Sequence, residues 1–382
     1  MSRKGLIALA VALVVLGVLA FLGQRGRSTA PTAGGPILPG LQAALNDVAE
    51  IKITKAGGET VATIEKHADG WAVAEKGGYA ADVAKLRQNL RALAEAKILE
   101  TKTANPSFYD KLGVQDIASD KATGLGVAIS VPGKDFGTLI LGDAKGSKQR
   151  YARRANEAQS YLIDRDPSFP KTAAQWLDPV ILDVRGNRVR EVTIKHPEGE
   201  VVTISKPNAD ATNFDVAGVP KGRELLYPGV ANVIGNALRE LNLEDVERAD
   251  NTTPDKAVQV EFRTFDGLIV RAVGAKRGDD AWVAFSAGVD ADRVAQNQAA
   301  AKAAQPRAAG EADATKPDVG QSGESPASAD GGAAKPAEPA AADPTAEAQR
   351  INAHVMAWRY KLASFQYDQM TRRMADLLKP AG

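Results

Sequence analysis

Three histidines, His67, His196 and His354, come first, because a neutral imidazole can ligate a metal or carry a proton. None has a second histidine three or four residues away, so metal-site spacing is missing. All three sit in turn or polar contexts and read as solvated surface. Asp164-Arg165-Asp166-Pro167-Ser168 offers two close carboxylates, the raw material of general acid–base work, but its Asp-Pro step reads as a turn closed by local hydrogen bonds. Asp290 and Asp292 open a polar tract and read as solvated charge. Trp71, Phe214, Trp282 and Trp358 could stack a ligand, but flanking Val and Ala at strand positions favour core packing. The chain has no cysteine, which removes disulfides, thiolate ligands and cysteine nucleophiles. No phosphate-cradling Gly loop, Gly-x-Ser-x-Gly elbow or His-Glu-x-x-His is present. We therefore assign no catalytic, cofactor-binding or metal-binding residue, expect no cofactor, and read the chain as no enzyme.

The elements that surround these residues form a pattern written twice. Val48 to Val73 alternates apolar and polar residues on two arms about Gly57-Gly58, then closes on Gly70-Trp71-Ala72-Val73. That is a β-hairpin with one buried face. The pattern returns as Val189-Arg-Glu-Val192-Thr-Ile194, a turn at Pro197-Glu198-Gly199, Val201 to Lys206, and Asn213-Phe214-Asp215-Val216. Trp71 and Phe214 take the same place. Asp82 is a candidate N-cap for an amphipathic helix with the stripe Val83, Leu86, Leu90, Leu93. Its counterpart is Val230, Val233, Ile234, Ala237, Leu238, Leu241. A second hairpin at Val127–Val131 and Thr138–Gly142 pairs with Val258–Phe262 and Leu268–Gly274, so Gly274 echoes Gly142. A third, Tyr151–Arg154 with Ser160–Asp164, has its first strand matched by Ala281–Phe285. Its return strand matches only much later, at Trp358-Arg359-Tyr360-Lys361-Leu362.

The fold expected is α+β: two tandem copies of an antiparallel meander with a packed amphipathic helix, behind one N-terminal transmembrane helix. Hairpins without βαβ alternation disfavour a doubly wound parallel sheet. The domain plan is a stub and anchor over 1–27, a Pro/Gly-rich spacer over 28–40, a first copy over 41–178 and a second over 179–382. The second copy is interrupted at 286–350, where no Leu, Ile, Met or aromatic residue occurs and too little apolar surface exists to offset ordering. Within it, Val294 to Ala304 carries some helical propensity.

Gly5 to Gly23 contains no charged or polar side chain and as a helix spans roughly 28 Å, close to a bilayer's hydrocarbon core. It reads as a membrane anchor in contact with lipid; a cleaved signal peptide ending near Ser28-Thr29-Ala30 is the rival, disfavoured by Pro31. Ala8, Ala12 and Gly17 fall near one helical face, as close helix–helix packing needs, a lipid-facing anchor being the alternative. The formal charge of +1 leaves no basic field for nucleic acid.

Taken together, Gly70-Trp71-Ala72-Val73, Leu112-Gly113-Val114, Leu139-Ile140-Leu141-Gly142, and Trp358-Arg359-Tyr360-Lys361-Leu362 with Asp376-Leu377-Leu378 resemble the bacterial domain-of-unknown-function family 4340. The resemblance implies a chain anchored in the inner membrane by one helix, with its body on the periplasmic side. It implies an accessory role beside an ABC-type transporter of the gliding-motility kind, whose permease would be the partner, and it supplies no catalytic residues. An envelope ligand- or polymer-binding module and a hydrolase are the alternative readings.

Overall fold

The computed structural model describes residues 34–250, 252–304 and 343–380. The chain divides into two compact units, residues 1–178 and 179–382. The anchor proposed at Gly5–Gly23, with Ala8, Ala12 and Gly17, lies outside the described residues. Among those residues no helix is long and apolar enough to cross a membrane.

Unit 1 opens inside the stretch expected to be a spacer, and this is a correction. Ile37 and Leu38 are buried. The Gly34 and Ile37 amides donate to Ile98 and Ala96 carbonyls at 2.8 and 2.9 Å, and Arg154 Nε donates to the Ile37 carbonyl at 3.0 Å. Two apolar side chains in a Pro/Gly-rich context suffice to dock it, and average composition hides them. A single turn, α1 (Leu41–Ala44), leads to the first hairpin, β1 (Glu50–Thr54) and β2 (Thr60–His67). Then come β3 (Gly70–Val73), β4 (Tyr79–Ala80) and the helix α2 (Val83–Glu95), which buries Leu86, Leu90 and Leu93. Asp82 caps α2, accepting the Lys85 amide at 2.9 Å. After β5 (Ile98–Thr101) the meander β6 (Leu125–Val131), β7 (Lys134–Lys145), β8 (Gln149–Arg154) and β9 (Ser160–Ile163) completes a nine-stranded sheet. Its order is β4-β3-β2-β1-β6-β7-β8-β9-β5, and every pairing in it is antiparallel. The alternation of β1 is realised directly: Ile51 and Ile53 are fully buried, with Lys52 between them exposed.

Unit 2 begins with β10 (Val180–Leu182), followed by β11 (Val189–Lys195), β12 (Val201–Ser205) and β13 (Asp215–Val216). The helix α3 (Asn232–Gly235) precedes β14 (Leu241–Asn242), which pairs with β10 as a separate two-stranded sheet. Further on are β15 (Asp245–Arg248), β16 (Val258–Thr264), β17 (Leu268–Arg277) and β18 (Asp280–Val289). Helices α4 (Ala291–Ala304) and α5 (Pro344–Val355) then flank the undescribed residues 305–342, before β19 (Trp358–Leu362), α6 (Ser364–Met370) and α7 (Met374–Leu377). The main sheet runs β13-β12-β11-β16-β17-β18-β19-β15. Adding ten to each unit 1 label, and leaving out the outer strand β4, gives that order.

Pairing register fixes which residues correspond. Ile64 faces Val73 as Ile204 faces Val216, so Trp71 and Phe214 hold equivalent positions. Ala152 faces Tyr161 as Val283 faces Tyr360, and so Tyr161 corresponds to Tyr360. Gly274 needs a correction of one residue. It pairs with Val258 as Leu141, not Gly142, pairs with Leu125. Gly142 instead sits at a break in the β7–β8 register, where a Cβ would lie 2.1 Å from the Leu112 carbonyl oxygen.

Two further expectations are corrected in unit 2. The stripe from Val230 to Leu241 is buried at Val230, Ile234, Ala237, Leu238 and Leu241, yet only α3 within it is helical. Gly235 lies against the Phe214 ring, and the Asn232 side chain is drawn off to the Phe214 amide at 3.1 Å, so this segment packs as turns. The described parts of the tract 286–350, residues 286–304 and 343–350, are also more ordered than their composition suggests. β18 runs on to Val289, and α4 docks through Arg293 Nε and Asn297 Nδ2 on the Phe265 carbonyl at 3.1 and 2.9 Å. On α5, Glu347 is held by the Arg188 fork at 2.9 and 2.7 Å, and Asn352 exchanges two hydrogen bonds with the Ala287 backbone. Hydrogen bonds stand in here for the apolar burial the tract lacks.

Candidate functional site

A cleft of about 710 Å³ lies in unit 2 where the β11–β12 turn meets the C-terminal segment. His196 and Pro197 line it from that turn, Lys256 from the loop before β16, Lys276 from the end of β17, and Tyr367 and Arg372 from α6 and the link after it. The turn is tight: the His196 amide donates to the Glu200 carbonyl at 2.9 Å and the Gly199 amide to the His196 carbonyl at 3.0 Å. It is also pinned to α7. Glu200 accepts the Met374 amide at 2.9 Å and pairs with Arg373 at 2.7 Å, and Glu198 pairs with the same guanidinium. These two carboxylates raise the Arg373 guanidinium further above its ordinary value.

His196 is thereby only 6 % exposed, and neither ring nitrogen makes a hydrogen bond with the described residues. Arg372 Nε is likewise buried without a partner. Opposite them, Tyr367 donates to the Gly274 carbonyl at 3.3 Å, and burial, followed by the charge of Asp368, pushes its phenol up. Asp368 pairs with Lys276 at 3.0 Å, and Asp376 accepts the Arg373 amide at 2.9 Å. Lys256 holds a left-handed backbone, φ 57°, rare for a side chain with a Cβ. The groups left to face a guest are the His196 and Arg372 donors, Lys256, and the carboxylates Asp255 and Asp376.

The residues singled out from sequence are dispersed. His67 is exposed, 3.4 Å from Glu65, and His354 is half-buried with Nε2 3.2 Å from the Val180 carbonyl. The expectation of a solvated His196 is corrected, because the C-terminal segment covers its turn. Asp164 and Asp166 are held by distant partners and not by a local turn: Asp164 accepts the Lys97 amide at 2.7 Å and Asp166 takes Arg150 at 2.6 Å. Asp290 is no free charge either, since it accepts the Arg293 amide at 3.1 Å at the start of α4. Phe214 and Trp358 are buried, and Trp71 and Trp282 are half-buried. Each carries a cation over its ring: Lys206 at 4.6 Å, Arg248 at 3.9 Å, Lys66 at 6.0 Å and Arg277 at 5.5 Å, in that order. Among the described residues no three His, Asp or Glu side chains gather as metal ligands.

The architecture defines a mixed α+β chain built on two large antiparallel sheets. Residues 71–260 match the family described as "Domain of unknown function (DUF4340)", so the chain resembles that family from Trp71 in unit 1 to Val260 in unit 2. The pieces at Trp358–Leu362 and Asp376–Leu378 lie beyond the matched residues. No curated protein and no solved structure matches the chain.

Proposed function

We propose that the two units are tandem copies of one meander-and-helix unit, carried behind a membrane helix at Gly5–Gly23 on the extracytoplasmic side. In this reading the chain is a non-catalytic accessory component of an ABC-type transporter, and the permease is its partner. The observation that carries it is the shared strand order of the two sheets. Duplicated sheets on one anchor make a platform, and contacts confined to the membrane plane gain from high effective concentration. The family resemblance points the same way. Chemical cross-linking in native membranes followed by mass spectrometry tests it. Recovery of a permease, lost when Gly5–Gly23 is swapped for an unrelated helix, is the expected result. No permease, with the swap leaving every phenotype intact, sinks the proposal. One observation, the unit 2 cleft, favours the second reading, an envelope ligand-binding module.

A further inference from the structure

We infer that the unit 2 cleft binds a polar molecule through an oxyanion, phosphate or carboxylate, held by His196, Arg372 and Lys256. This goes beyond the accessory role and does not depend on it. An arginine Nε–H can only donate, and an imidazole presents at least one N–H, so the partners missing from Arg372 and His196 are acceptors. A buried donor without an acceptor is costly, and an oxygen entering the cleft removes that cost.

The charges lining the cleft balance. Arg373 is consumed by Glu198 and Glu200, and Lys276 by Asp368. Arg372 and Lys256 form no ion pair among the described residues, and Asp255 and Asp376 line the cleft with them, so it is the two unpartnered donors, not an excess of charge, that select an oxyanion. A metal cation would meet N–H donors where it needs lone pairs. The volume, about 710 Å³, is within the range of small-molecule sites, so the oxyanion is one end of a larger guest. The Thr371 hydroxyl, which also lines the cleft, already donates to the Tyr367 carbonyl at 2.8 Å and keeps an acceptor for the guest's own hydroxyls.

Unit 1 supplies the contrast. A cleft of about 280 Å³ sits at the same place in its sheet, lined by Leu125, Leu141 and Gly142. There the guanidinium is used up internally: Arg150 Nε pairs with Asp166 at 2.6 Å and Nη1 donates to the Gly142 carbonyl at 2.5 Å, while Lys171 also lines the cleft. The guanidinium of the unit 1 cleft is thus spent on the fold, whereas Arg372 Nε in unit 2 is not.

Calorimetric titration of the full chain in detergent, with inorganic phosphate and separately with citrate, tests the inference. Saturable binding of at least one probe is expected, weakened by about tenfold or more in Arg372→Gln, which removes a charge-assisted bond. Lys256→Gly keeps the left-handed backbone, removes the ammonium and should weaken binding several-fold, and it decides the matter if Arg372→Gln fails to fold. His67→Gln, far along the chain on an exposed strand end, should bind as the natural chain does. Tighter phosphate binding assigns a phosphorylated guest, and tighter citrate binding a carboxylated one. No saturable heat from either probe up to about 10 mM, or unchanged affinity in both cleft variants, overturns it.

Discussion

Gly235→Ala should destabilise unit 2 or stabilise it, depending on one ring. Helix propensity alone favours alanine at this position by up to about 1 kcal/mol. The obstacle is Phe214: a Cβ on Gly235 would lie 2.2 Å from its Cε2, 2.4 Å from Cζ and 3.0 Å from Cδ2. Phe214 is 3 % exposed with Lys206 4.6 Å over its face, so the ring has little room to retreat. Overpacking of this kind costs roughly 1–3 kcal/mol, leaving a net loss of about 0.5–2 kcal/mol. Phe214→Leu removes Cε2 and Cζ and by itself costs about 1–2 kcal/mol. In that background the clash is gone, and Gly235→Ala should become neutral or stabilise by about 0.5–1 kcal/mol. The coupling between the two changes should therefore be about 1–3 kcal/mol, favourable in the double variant. Native-state hydrogen exchange read by mass spectrometry on β11 and β12 peptides measures the opening free energy of unit 2. If Gly235→Ala costs the same with Phe214 and with Leu at that position, the ring is not what keeps α3 to one turn.

At Asp82, burial raises the carboxyl, but the Lys85 amide, its ammonium and the Ala84 amide outweigh it and hold the group below the ordinary aspartate range. A depressed folded value means stability that is present above the unfolded value and lost as pH falls through the folded one. Asp82→Ala should therefore cost about 0.5–2 kcal/mol at neutral pH and flatten the acid limb of unit 1 stability, read by urea unfolding between neutral and acid pH. Arg188→Lys keeps a charge but loses the fork that holds Glu347 and Asp266, so exchange over residues 344–355 should rise by about tenfold while β1 and β2 stay as protected as before.

The hairpins were legible because alternation and Gly-rich turns are local signals, and the two copies could be aligned through Tyr161 and Tyr360 across the long interruption. The strands β5 and β15 went unread, being four residues each and placed beside β9 and β19 only by tertiary pairing. The α3 segment misled because its apolar spacing reports burial, while the contact with Phe214 that limits its helix lies outside the window. Composition hid Ile37 and Leu38, and it hid the polar docking of α4 and α5. His196 carried no signal of its own: nothing around Pro197 tells that Arg373 and Met374, far along the chain, come to pin its turn.

The order of β18, β19 and β15 has a consequence for how the chain is made. β15 pairs only with β19, and β19 follows β18 across the whole stretch from Val289 to Trp358. In unit 1 the corresponding step is the short link from Arg154 to Ser160. Closing the longer loop costs at most about 2 kcal/mol more in chain entropy, a difference in rate more than in final stability. During synthesis unit 1 has every strand in hand before unit 2 begins. β15 must wait with its hydrogen-bonding edge open until Trp358–Leu362 emerges. A ribosome that stops short of Trp358 therefore releases a finished first unit and a second unit with two unpaired edges, which makes β19 the strand on which completion of unit 2 depends.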